Sequence, residues 1–417
     1  QDLPFDVYDL SFGEFFNSEP QAFIDSINEV KRQLSVAAPQ AEMHALVHVG
    51  AEQIVNFQGE DLIYYFLVKF ADPAIIPDVH TVMFYNLYET AGGAYQSEDF
   101  SAHREFLLER MCSGKPHAYQ PETAYWVAFD NSVPQYLPLY VHNRWLDLEM
   151  LDAEPGCGKL DNHMLFSTGW EWGYWLHDVT ALRASYERPA SSTDLIAAEF
   201  SADLGPATEL VARLIELQRE HLMLGRLIQY VAGRDLAIDA GRRLDIVSQP
   251  DRVTFTDLED AEPSARTAFQ ADEIEQLIIY RTEIEALEAE LLALDLPDTK
   301  WTRELRDGFT MDRLRVDYII HLYTATLNKL SGDDAAAQED VTRARSLLGS
   351  AQQVVTRRHD DLHDSLGAKL TGPTENQTFY QYGYLFMADT LCYWNRELVE
   401  VQNLLSGTSE PVPSCLL

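Results

Sequence analysis

Residues 115–129, KPHAYQPETAYWVAF, read as one buried strand with an acid, Glu122, set between a proline and a row of aromatics. Residues 133–151, VPQYLPLYVHNRWLDLEML, read as the helix that follows it. The same pairing recurs along the first half of the chain. FDVYDLSFGEF (5–15) precedes the helical pattern PQAFIDSINEVKRQL (20–34), and EMHALVHVG (42–50) leads through a loop to EDLIYYFLVKFA (60–71). HTVMFYNLYE (80–89) precedes SAHREFLLERM (101–111), and HMLFSTGWEWGYW (163–175) reads as a fifth strand. Strands separated by helices of about 10 to 15 residues predict βα units and a parallel sheet, so the first half is expected to be α/β.

After ASYERPASSTD (184–194) the pattern becomes purely helical. In residues 271–296, Ile274, Leu277, Ile278, Ile284, Leu287, Leu291 and Leu294 form one apolar stripe with acids around it. Helix breakers cluster between such segments, at SGDD (331–334) and LTGPTEN (370–376). The expected organisation is a βα region over 1–188 and an all-helical domain over 189–417, without internal repeats or low-complexity tracts.

The chain has 417 residues, with 67 acids against 31 bases and a formal charge of −36. That balance argues against nucleic acid and against an anionic membrane as partners. Its plain explanation is the solubility strategy of a high-GC or salt-adapted organism. No run of about 18 apolar residues is present, so no membrane span is expected. The sequence opens at Gln1 without an initiator Met or a charged-then-apolar leader, which gives the expectation of upstream processing and of a secreted, periplasmic or cell-surface location. Four cysteines allow three pairings. Cys112 with Cys157 and Cys392 with Cys415 are favoured, because each pair closes a loop that otherwise has little to hold it; free thiols are the alternative.

In parallel βα architectures functional side chains gather at the carboxyl ends of strands. Those ends present Glu14 on the first strand, His48 on the second, Asn86, Tyr88 and Glu89 on the third, Glu122 on the fourth, and Trp170, Glu171 and Trp172 on the fifth. Trp126, Trp175, Tyr95, Tyr119 and Tyr125 add aromatic faces. Two carboxyls across a scissile bond are what glycoside hydrolysis requires, and aromatic faces stack on the C–H faces of sugar rings. Glu14 and Glu122 are the catalytic candidates. His48, Asn86, Tyr88, Glu89, Trp126, Trp170, Glu171 and Trp172 are the candidates for binding carbohydrate.

The order of these strand-end groups resembles the second half of the clan of retaining glycoside hydrolases on (β/α)8 barrels, over about residues 1–180. The resemblance implies SFGEF as strand four, PETAYW as strand seven and GWEW as strand eight. It further implies Glu14 as acid/base, Glu122 as nucleophile, Tyr88 as the hydrogen-bond partner of Glu122, and Trp170 or Trp172 as the sugar platform. Two departures stand out. Gly13 occupies the place where the family carries Asn, and strands one to three are absent, so either an N-terminal fragment of the same precursor completes the barrel or the sheet is not a barrel. An acidic Glu171 between two tryptophans is a second candidate for the acid.

Each residue also has a plainer assignment. The glutamates can pair with Arg104, Arg110 or Arg144, His48 can be a satisfied core histidine, and the tryptophans can pack against the helical domain. HDDLH (359–363) has one-turn histidine spacing but no third ligand, so no metal and no cofactor are expected. GCGK (156–159) reads as a turn, and NQT (376–378) matches a glycosylation sequon. The rival function is a non-catalytic surface or matrix protein that binds glycans or proteins on a barrel-like scaffold.

Overall fold

The structure, a computed structural model, describes residues 5–11, 19–50, 53–94, 97–124, 135–167, 172–201, 203–232, 252–371 and 391–413, with the backbone alone for 359–371. Strands β1 (Val7–Leu10), β2 (Glu42–Val47), β5 (Ile75–Thr81) and β6 (Ala118–Ala124) are parallel neighbours in that order. On the far side of β6 lie β7 (Asn162–His163) and β8 (Phe166–Ser167), also parallel to it. Helices α1 (Pro20–Ala37), α2 (Ser101–Cys112), α3 (Leu139–Asp152) and α4 (Tyr174–Tyr186) alternate with the strands. The α/β alternation is therefore present, and among the described residues these six strands form one sheet, with β1 at one edge and β7 and β8 at the other.

Two elements differ from the sequence expectation. EDLIYYFLVKFA is no α-helix: β3 (Ile54–Phe57) and β4 (Glu60–Ile63) form an antiparallel hairpin, and Tyr64–Phe70 follow as a 3-10 helix. Gln58 and Gly59, with φ of 52° and 87°, make the two-residue turn, whose backbone twist matches that of the flanking strands. The third strand lies earlier than expected, at Ile75–Thr81. Val82, Met83, Phe84, Tyr85 and Leu87 are apolar because the loop after β5 folds back into the core, which lengthens the apparent strand.

A proline in an interior strand ordinarily removes a ladder donor. Pro121 avoids that cost by its position. β7 pairs with β6 at Ala118 and Tyr119, and β8 pairs with it at Glu122 and Ala124. Pro121 falls in the gap between them, where that neighbour has no ladder partner to offer. The break that admits the proline also delivers Glu122 to the strand's carboxyl end.

Cys112 and Cys157 are joined as expected, closing a loop that holds β6 and α3. Cys392 is also disulfide-bonded, and Cys415, its expected partner, lies outside the described residues. Gly156 and Cys157 sit in a turn with φ of 83° at the glycine, in keeping with the reading of GCGK.

The later part of the chain is helical, dominated by Glu275–Ala293, Lys300–Ser331, Asp334–Thr371 and Cys392–Ser406. Thr299 caps the second of these by accepting from Thr302 N at 3.2 Å, and Gly332, at φ 87°, ends it. The apolar core runs without a break from Phe23 through Trp172 to Val401. At the joint, Asp312 accepts from Tyr136 N at 2.9 Å and Glu304 accepts from Gly173 N at 3.0 Å. The Tyr136 ring lies between two glycines. A methyl at Gly173 would sit 2.3 Å from it, and one at Gly308 would sit 2.9 Å from Tyr136 Cβ.

Candidate active site

Side chains alternate along a strand, and register partners in a parallel sheet share a face. One face carries Met43, Ala45, Val47, Val79, Thr81, Tyr119 and Thr123. Helices cover it: Tyr119 donates to Asp147 of α3 at 2.6 Å, and Thr123 donates to Asp178 of α4 at 2.6 Å. The opposite face carries Asp9, His44, His48, Asp78, His80, Gln120 and Glu122, with Phe166 level with Glu122. The inner layers of closed βα barrels are mostly branched apolar residues. A face this rich in titratable groups is expensive to bury unless the groups are partnered, which marks it as a functional candidate.

At its centre, Glu122 is 2% exposed. Its Oε2 accepts from the backbone N–H of Met83, and its Oε1 lies 3.4 Å from His80 Nε2. Met83 has φ of 52°, a left-handed conformation costly for a residue with a Cβ, and this conformation accompanies the N–H contact to the carboxyl. His80 is held from its other nitrogen, Nδ1 donating to Gln120 O at 2.7 Å. Burial pushes the His80 pKa down to about 4, outweighing the Gln120 hydrogen bond, and Arg144 lowers it further. The imidazole of His48 lies 4.9 Å from that of His80, tilted by 31°.

One step nearer the amino ends of the strands, His44 Nδ1 meets Asp78 Oδ1 at 2.7 Å. Burial raises the Asp78 pKa to about 6 against the opposing pull of His44. Burial draws the His44 pKa down, but the hydrogen bond and charge of Asp78 prevail and leave it raised. Asp9 is raised too, chiefly by desolvation, against the opposing pull of His44. No group of three His, Cys, Asp or Glu among the described residues is arranged to hold a metal ion.

The loop from Val82 to Ala94 is fixed from behind by α3. Arg144 donates to Glu122 O at 3.1 Å and to Thr81 Oγ1 at 2.9 Å, and also reaches Tyr85 O. Asn143 bonds Phe84 O, and Asp147 accepts from Leu87 N at 2.8 Å. Arg144 thus meets the backbone carbonyl of Glu122, not the neutralising role foreseen for an arginine.

No family model matches this chain, and neither does any curated protein. Among solved structures it is similar to a GH138 enzyme targeting pectin rhamnogalacturonan II, with a TM-score of 0.43 and 10% sequence identity. The match covers 96% of this chain and 62% of that one, so the chain spans less than two thirds of that protein's length.

The structure brings His48 and Glu122 together on the polar face of the sheet and places the other described candidates elsewhere. Asn86 is buried behind the loop, its Oδ1 accepting from Tyr88 N and Glu89 N at 2.8 Å and its amide donating to Glu89 and Asn143. Glu89 pairs with Arg219, not with Arg104, Arg110 or Arg144. Tyr88 lies under the Arg104 guanidinium at 5.2 Å, and among the described residues its hydroxyl has no hydrogen-bond partner, so it is not the partner of Glu122 that the resemblance implied. Trp172 is 1% exposed beneath Arg358, 4.2 Å from its ring, and packs against the helical part with no face left for a sugar. Glu14, Trp126, Trp170 and Glu171 lie outside the described residues, as do Tyr95 and Tyr125. The side chains of His359 and His363 and the NQT sequon lie outside them too.

Sequence reasoning passed over Asp9, His44, Asp78, His80 and Gln120. Their signal was present as polar residues at every second or fourth position, His44 and His48, Asp78 and His80, Gln120 and Glu122, within otherwise apolar strands.

Proposed function

We propose that this chain is a glycoside hydrolase, or the larger part of one, acting on an oligo- or polysaccharide with Glu122 as one of two catalytic carboxyls. The observation that carries this is a buried carboxyl at the carboxyl end of a parallel strand, oriented by a left-handed backbone N–H and flanked by an imidazole. Glu14, which lies outside the described residues, is the second carboxyl in this reading. The sheet would then be part of a (β/α)8 barrel whose remaining strands join at the β1 edge, a point that the native mass of the protein tests. Export from the cytoplasm fits the disulfides and belongs to the same proposal.

Glu122→Gln keeps the shape and the Met83 contact while removing the acid. It should lower reducing-end release from a polysaccharide panel, or phenol release from aryl glycosides, by at least about a thousandfold with the far-UV spectrum and melting unchanged. Undiminished hydrolysis by that variant would refute the assignment. The depth of Glu122 favours one rival, a glycan-binding scaffold in which the carboxyl is structural. In that case the wild type binds polysaccharide in affinity electrophoresis but cleaves nothing.

A further inference from the structure

Arg144 of α3 lies on the helix-covered side of the sheet, opposite the Glu122 side chain, yet it touches the backbone on both sides of the contact between Glu122 and Met83. Resting on the hydrolase reading, we infer that Arg144 is a positioning residue for Glu122: its guanidinium holds Met83 in the left-handed conformation that turns the Met83 N–H toward the carboxyl.

A left-handed backbone at a residue with a Cβ persists only where its surroundings over-determine it. Met83, at φ 52°, lies midway between two points that one guanidinium fixes. Nη1 of Arg144 donates to Thr81 Oγ1 at 2.9 Å, two residues before Met83, and Nη2 donates to Tyr85 O, two residues after it. Nη1 also donates to Glu122 O at 3.1 Å on the adjacent strand. Both ends of segment 81–85 and the residue that receives the Met83 N–H are thus tied to a single planar group. A guanidinium presents its donors in a fixed fork and sets these three points relative to one another, whereas an ammonium is one point and does not.

The partner of Arg144 serves the same loop. Asp147, nearly one helical turn on, lies 3.5 Å from Arg144 Nη2 and accepts from Tyr119 Oη at 2.6 Å and from Leu87 N at 2.8 Å. Arg144 and Asp147 are 1% and 0% exposed. A buried ion pair contributes little net stability, because removing both charges from water costs about as much as their attraction regains, and apolar side chains of like volume do as well or better. Adhesion between α3 and the sheet therefore does not account for Arg144. Ordering of backbone carbonyls does, since no apolar side chain can bind them.

Released from this clamp, Met83 relaxes to a negative φ and its N–H turns away. The Glu122 carboxyl then loses a donor that fixes its angle toward a substrate, and a displacement of about 1 Å at a reacting group costs on the order of a hundredfold in rate.

Hydrogen exchange of the full chain, resolved to single residues by mass spectrometry, tests the clamp without any substrate. The Met83 amide should be protected in the wild type and exchange at least about tenfold faster in Arg144→Met, the factor to which a left-handed penalty corresponds, with amides of the Lys300–Ser331 helix unchanged. Arg144→Lys, which keeps the charge beside Asp147, takes its place where the first variant does not fold and should also speed exchange at Met83. Equal protection of that amide in the wild type and the folded variant would overturn the inference.

On an aryl glycoside that the wild type cleaves, Arg144→Met should lower kcat about a hundredfold with KM within about twofold. Glycine carries no left-handed penalty, so in a Met83→Gly background the same change should cost about tenfold less, the double-mutant cycle cancelling the volume lost at residue 83. A purely structural loss would be equal in both backgrounds, and that result would overturn the inference. If the wild type cleaves no glycoside, the hydrolase reading fails by itself, and exchange at Met83 still decides whether Arg144 holds it.

Discussion

Asp78 is fully buried, and among the described residues one of its carboxyl oxygens, Oδ2, has no hydrogen-bond partner. Its folded pKa, about 6 against an ordinary 3.8, means the native state binds a proton more tightly than the unfolded chain. Stability tied to this group is therefore present below about pH 4 and is lost as pH rises toward 6. His44 acts in the same direction: its raised pKa gives stability that is present below its ordinary value of 6.5 and lost as pH rises through the folded value. Asp78→Asn removes the first effect and much of the second. Denaturant unfolding at pH 4 and pH 7 should show the wild type losing on the order of 3 kcal/mol relative to the variant between the two. Parallel pH dependences would mean that Asp78 is ionised throughout.

Among elements, the join between α4 and the Lys300–Ser331 helix is the least tolerant of added volume. Gly173, at φ 68°, occupies the N-cap of α4, and a methyl there meets both the left-handed backbone penalty and the Tyr136 ring. Gly173→Ala should cost roughly 2–4 kcal/mol in denaturant unfolding, combining backbone strain with overpacking. Gly332→Ala, with similar φ but open space around it, should cost about 1 kcal/mol, and equal losses at both sites would show that the Tyr136 cradle is not tight.

The same elements show what sequence can and cannot tell. β2, β6, α2 and α3 were legible because their apolar period and their breakers agree. The hairpin from Ile54 to Ile63 was not, since LIYYFLVKF is apolar on every side and a continuous run hides its period. Its turn signal, Gln58-Gly59, was overlooked. Of the site, Glu122 and His48 were legible as polar groups at strand ends, whereas His80 was taken as the start of a strand that in fact ends there. Asn86 and Glu89 looked like ligands because loop acids and amides do, yet their partners, Asn143 and Arg219, are distant in sequence and become visible only on folding.

At the scale of the molecule, the sheet is unequal at its two ends. β1 pairs with β2, and among the described residues nothing pairs with its other edge, where Phe5 and Val7 are exposed. Open edges invite pairing, and natural sheets generally cover them. If the barrel proposal holds, the protein isolated from its own source carries a further polypeptide, or further residues of this one. On the order of 100 residues would be needed, three βα units at about 30 or more each. Native mass spectrometry should find that excess, and a mass equal to the 417 residues alone would count against closure.

Tyr136, pinched between a glycine from each part of the molecule, has a bearing on ancestry and engineering. A protease or a gene-shuffling experiment that parted the chain near residue 189 would not release two modules. It would strip the Tyr136 and Trp172 rings of their cover and take from Asp312 and Glu304 the backbone N–H groups of Tyr136 and Gly173. The sheet and its helical buttress are therefore expected to travel through evolution as an indivisible cassette.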